Sequence, residues 1–223
     1  MIPYRDLNRT RHFPWMTLLL ILANLAVFIQ ELLLREPGAT QFIYRYAVIP
    51  FEFKSGHNLP ISIGPPPFVT IVTALFLHGG FLHLGGNMLY LWIFGDNVED
   101  QLGPFRFLLF YLLCGFVATF TQIYANYGSS IPLLGASGAI AGVLAAYLLL
   151  FPRARVMVLI PIFYFLRSVA LPAWLVLGGW FLLQLIETKL NPHKLAGGVA
   201  FYAHLGGFVT GLLLLPALRR RRR

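Results

Sequence analysis

Between Arg106 and Arg153 the chain carries no Asp, Glu, Lys or Arg, and a serine, Ser137, stands inside that stretch. A charge-free run of this length is long enough for two passes of a bilayer, joined by the uncharged connector Tyr124 to Pro132. In lipid each backbone polar group must be satisfied internally, so these passes are expected to be helices. Composition agrees: of 223 residues 58% are hydrophobic and 11% charged, with a mean hydropathy of +0.73. The expected class is an all-α polytopic membrane protein in one domain, residues 1–223. It has a short basic tail (1–12), a membrane core (13–218) and an arginine-rich tail (219–223).

Six spans are expected: Phe13 to Gln30, Gly79 to Phe94, Phe105 to Ala125, Gly135 to Phe151, Leu171 to Ile186 and Gly197 to Leu218. The first exceeds the apolar core of most signal peptides and is read as a span rather than a cleaved leader. Val156 to Leu166 is apolar but too short to cross as a helix, so it is expected at the interface. With six spans both tails share a side. That side holds twelve basic residues (Arg5, Arg9, Arg11, Arg106, Arg153, Arg155, Arg167 and Arg219 to Arg223) against five on the other (Arg35, Arg45, Lys54, Lys189 and Lys194). Both tails are therefore expected in the cytoplasm. The net charge of +9 sits at the ends of apolar runs, as topology signals do, and is not read as a nucleic-acid patch. Cys114 is the only cysteine, which excludes an intramolecular disulfide.

Polar groups within such spans usually have a task. The fourth and sixth spans both enter from the outer side. At 1.5 Å per residue Ser137 and His204 lie roughly 10 Å below the points where their helices enter. Gly138 and Gly142 form a small-xxx-small pair on one helix, and Gly207 and Gly211 form another on the helix of His204. Close approach there lets Ser137 and His204 share a hydrogen bond, the arrangement of a nucleophile and its general base. His83 and Asn87, four residues apart on the second span, with the Ser137 N–H, offer donors for developing negative charge. The blander readings are that Ser137 back-bonds to its own helix and that the glycines serve packing alone. His78 and His83 diverge on a helix, and no HExxH or cysteine cluster is present, so no metal and no cofactor are expected. Glu99 and Asp100 are read as capping or loop charges, and Trp174 and Trp180 as lipid or interface anchors.

Three motifs together carry a resemblance: His-Gly-Gly-x-x-His-x-x-x-Asn ending at Asn87, Gly135-Ala136-Ser137-Gly138, and Ala203-His204-x-x-Gly207-x-x-x-Gly211. In this order and spacing the chain from about Tyr46 to Gly211 resembles the rhomboid family of intramembrane serine proteases, and its segment from Gly85 through Leu102 also looks like a large prokaryotic branch of that family. The resemblance implies a Ser137–His204 dyad without a third acid, an oxyanion hole of His83, Asn87 and Ser137, and supporting roles for His78, Gly135 and Gly138. It implies as substrates the transmembrane segments of other membrane proteins, approaching sideways past the second and fifth helices. It also implies a plasma membrane location with the site toward the outer side. Two departures stand out. Ala141 occupies the place of a tyrosine that in some members stacks on the histidine, leaving open what orients His204, and Phe68-Val69-Thr70 stands where some members carry Trp-Arg. The competing readings are a non-catalytic scaffold that binds transmembrane helices and a small-solute channel or transporter. The oligomeric state is not readable from the sequence.

Overall fold

The computed structural model describes residues 2–162, 165–190 and 200–219; the beginning of the sixth expected span at Gly197, Lys194 and the tail beyond Arg219 lie outside the described residues. Nine α-helices are described: α1 (Trp15–Leu33), α2 (Gly38–Tyr46), α3 (Pro50–Ser55), α4 (Pro67–Thr73), α5 (Phe81–Leu102), α6 (Pro104–Ala125), α7 (Ser137–Leu150), α8 (Ala173–Leu190) and α9 (Phe201–Leu218). Among the described residues, α1, α6 and α9 are long and apolar enough to cross a membrane singly. A fourth candidate is a bent pair, in which α4 and its short 3-10 continuation to Phe76 meet α5 at 81°. The helices α7 and Ala173–Ile186 of α8 are apolar but shorter.

Local chemistry sets several boundaries. Gly103, at φ +80, ends α5, and Pro104 opens α6 at the first helical position, where its missing N–H costs nothing. The N-terminus of α1 has no cap of its own. Instead the buried Glu99 of α5 accepts the N–H groups of Met16 (2.9 Å) and Thr17 (2.7 Å) and the Thr17 hydroxyl (2.8 Å). Asp100 beside it accepts the N–H groups of Arg11 and His12. Glu99 thus caps a neighbouring helix, satisfying N–H groups that its first turn leaves unpaired, while Asp100 holds the segment that leads into it.

The all-α expectation requires correction at one end of the bundle. Residues 2–6 form β1, and Arg155–Ile162 (β2) pairs antiparallel both with β1 and with Phe165–Pro172 (β3), giving the order β1-β2-β3. The apolar segment after Arg155 is therefore a strand. Its run Val156-Met157-Val158-Leu159-Ile160 is β-branched and alternates, with Val156 and Val158 fully buried. This sheet joins the N-terminal tail to the α7–α8 connection, and Arg106 donates to the Leu218 carbonyl at 3.3 Å. The N-terminal tail, the sheet, the α5–α6 turn and the C-terminal end of α9 consequently share one end of the bundle.

The core centres on α7. Its residues from Ala139 to Tyr147 are almost wholly buried between α5, α6 and α9. A Cβ on Gly207 would run into the carbonyl oxygen of Gly138, and one on Gly211 into that of Gly142. These glycines let the α7 and α9 backbones touch, the packing that small residues permit in membrane helices.

Candidate active site

Ser137 is the first residue of α7, so its N–H has no acceptor within the helix. The segment leading to it, Ile131 to Ala136, is not helical. Leu133 exchanges two backbone hydrogen bonds with Val48 (2.7 and 3.0 Å), and the Gly135 N–H donates to Ala74 at 2.8 Å. Gly135 has φ +113, a conformation open to glycine, and a Cβ on it would sit 2.7 Å from the His83 ring. Glycine here serves both the turn and the close passage of the backbone over His83.

His204 lies in the first turn of α9 and is buried. That turn is fixed from α6, where Gln122 Oε1 accepts the Ala203 N–H at 3.1 Å. His204 Nε2 and Ser137 Oγ are 2.7 Å apart, and His204 Nδ1 is 2.9 Å from Gln184 Oε1 on α8. Trp180, one turn before Gln184, packs against the imidazole at a tilt of 45° with ring centroids 5.3 Å apart. Trp180 also meets Tyr90 of α5, so it faces the site rather than serving as a lipid anchor, whereas Trp174 is 57% exposed.

The third group comes from the start of α5. Asn87 Nδ2 donates to His78 Nε2 at 3.0 Å, which leaves the His78 Nδ1 proton for the Phe76 carbonyl at 3.3 Å. His78 is 1% exposed, and its backbone N–H donates to Glu31 Oε1 of α1 at 3.2 Å. The Asn87 amide has two donors, so one remains after His78. The Gly79 N–H donates to His83 Nδ1 at 3.3 Å, so the His83 ring proton resides on Nε2, the atom beside Gly135. A cavity of about 510 Å³ joins these groups, lined by His83, Asn87, Tyr90, Ser137, Trp180 and His204 among others.

The structure thus gathers Ser137, His204, His83 and Asn87 around one cavity, with His78 behind Asn87 and Gly135 beneath His83. Gly138, Gly142, Gly207 and Gly211 lie in the α7–α9 contact. Sequence reasoning missed Gln184, Trp180 and Glu31. Gln184 had a signal: it is the one amide in the apolar run Trp174 to Ile186, four residues after Trp180 and so on its face. Glu31 follows the first apolar run directly and reads there as an ordinary end-of-span charge.

The chain is similar to named proteins over most of its length. It is 28% identical over 194 residues to Rhomboid protein 1, mitochondrial, of Saccharomyces cerevisiae, covering 85% of this chain and 49% of that protein. It is 29% identical over 202 residues to the human Presenilin-associated rhomboid-like protein, mitochondrial, covering 86% and 45%. It is 32% identical over 149 residues to Rhomboid protease GluP of Bacillus subtilis, covering 66% and 25%. The chain spans about half the length, or less, of these relatives. The family model described as the Rhomboid domain matches residues 66–221. With that match over more than half its length, on a helical membrane bundle that brings the three motifs to one cavity, the chain belongs to the rhomboid family.

Proposed function

We infer that this protein is an intramembrane serine protease that cleaves peptide bonds in or near transmembrane segments of other membrane proteins. The observation that carries this reading is the 2.7 Å contact between Ser137 Oγ and His204 Nε2 in a cavity that also holds side-chain donors. Ser137 Oγ attacks the substrate carbonyl carbon while its proton passes to His204 Nε2. The carbonyl oxygen becomes an oxyanion, for which the Ser137 N–H, His83 Nε2–H and the second Asn87 N–H are donors. As the C–N bond breaks, His204 returns the proton to the leaving amine. Water then attacks the acyl-serine with His204 again as base, releasing the acid and restoring Ser137. A substrate helix hides its carbonyls in its own hydrogen bonds, so the reacting stretch must unwind.

The excess of basic residues at the sheet end supports an orientation with both tails cytoplasmic and Ser137 in the outer half of the bilayer. We propose a prokaryotic plasma membrane as the location. The mitochondrial names of two relatives favour an organelle inner membrane as the second reading. The test of the chemistry needs no substrate: the detergent-solubilised protein is treated with a fluorophosphonate probe. Wild type becomes labelled, whereas Ser137→Ala and His204→Ala do not. A well-folded wild type without label would overturn the protease reading in favour of a helix-binding scaffold.

A further inference from the structure

We propose that Gln184 is a positioning residue that holds the proton of His204 on Nδ1 and thereby links the base to α8; this rests on the protease reading above. For His204 to take a proton from Ser137 its Nε2 must be bare, so the single proton of the neutral ring must be on Nδ1. A buried N–H needs an acceptor. Gln184 Oε1, 2.9 Å away, is a carbonyl oxygen, which accepts and cannot donate. The Ser137 hydroxyl is then the donor in the 2.7 Å contact with Nε2. A carboxylate would do the same work at the cost of a second charge in an apolar site, whereas the amide adds none. When His204 becomes the imidazolium, its Nδ1–H bond to Gln184 is charge-assisted and therefore stronger.

Trp180 completes the device. Its ring packs against the imidazole at a tilt of 45°, near enough for the indole π-system to favour the positive charge that develops there. One face of α8 therefore supplies both the acceptor and the aromatic cover that α7, with Ala141, does not. This helix is much more sparsely packed on the bundle than α7 and α9 are on each other. The orientation of the base therefore depends on the place of α8, which carries both groups.

The test measures the rate of fluorophosphonate labelling against pH for wild type, Gln184→Leu, Gln184→Glu and Ser137→Ala. Gln184→Leu, which keeps the bulk and loses the acceptor, is expected to label about 10-fold to 100-fold more slowly than wild type. Gln184→Glu restores the acceptor and is expected to recover most of that rate. Its ionised carboxylate favours the imidazolium, so the acid limb of its pH–rate profile moves to higher pH by about one unit. A variant that only loosened α8 would slow labelling without moving that limb. Wild-type rate in Gln184→Leu, or an unmoved acid limb in Gln184→Glu, overturns the proposal while Ser137-dependent labelling of wild type stands. Absence of labelling in wild type overturns the protease reading instead. Where Gln184→Leu fails to fold, the Gln184→Glu profile decides alone.

Discussion

Two helices flank His204, and they are held in opposite ways. The contact of α7 with α9 is backbone on backbone: Gly207 and Gly211 lie against the carbonyls of Gly138 and Gly142, and residues 139–147 of α7 are almost fully buried. By contrast α8 buries Ala173, Val176 and Leu177 but meets α7 and α9 sparsely, and its Leu182 and Leu183 are 57% and 55% exposed. A Ser–His pair needs a separation kept within a few tenths of an ångström, and the glycine contact provides that rigidity. On the protease reading proposed above, admission of a substrate helix needs an element that can move at low cost, which sparse packing provides. The site is thus built across a closely packed half, carrying the proposed nucleophile, base and oxyanion donors, and a more sparsely packed half, carrying the groups proposed to orient the base.

The comparison can be broken first at the rigid contact. Gly207→Val places a branched side chain against the Gly138 carbonyl and is expected to destabilise the fold by about 3 kcal/mol or more. Thermal unfolding of the purified protein in detergent would read this, together with loss of labelling at Ser137. An unaltered melting temperature would show that the α7–α9 contact is not the fixed part. Next in size, Asn87→Ala removes one oxyanion donor from the rigid half and leaves the helix contact alone. Proteolysis should fall by about 10-fold to 1000-fold, while the melting temperature falls only by the few degrees that loss of the bond to His78 costs. A rate loss no larger than the loss in stability explains would instead limit Asn87 to its bond with His78. The smallest effect is expected on the loose half, where Leu182→Ala should shift stability by no more than about 0.5 kcal/mol. A large shift would mean that α8 is held more firmly than its contacts indicate.

Much of the site is legible in the order of amino acids alone. The His78-to-Asn87 run, the Gly-Ala-Ser-Gly around Ser137 and the glycine spacing after His204 are local patterns, and helix periodicity places their members on faces. The sheet is harder to see. Val156 to Ile160 is an apolar run of a length that hydropathy does not separate from a buried helix segment, and its partner β1 lies about 150 residues away. The bend of 81° between α4 and α5 is hidden for a similar reason, since an apolar count treats both as membrane-compatible. Trp180 reads as a lipid or interface anchor because tryptophans of membrane helices often serve so, yet here it packs against His204. Glu31 and Gln184 acquire meaning only from what they touch: the His78 N–H and the His204 ring.

The amino-acid sequence by itself determined that this chain enters a membrane as apolar helices, that the basic residues cluster at one end, and that Ser137 and His204 ride on glycine-notched helices able to meet. Those properties follow from transfer energies, helix period and the absence of a Cβ, each of which is local. Only the tertiary structure decided which groups surround the pair. The hydrogen bond from His204 to Gln184, the seat of His78 on Glu31 and the pairing of β1 with β2 join residues distant along the chain, and their geometry depends on how whole helices pack.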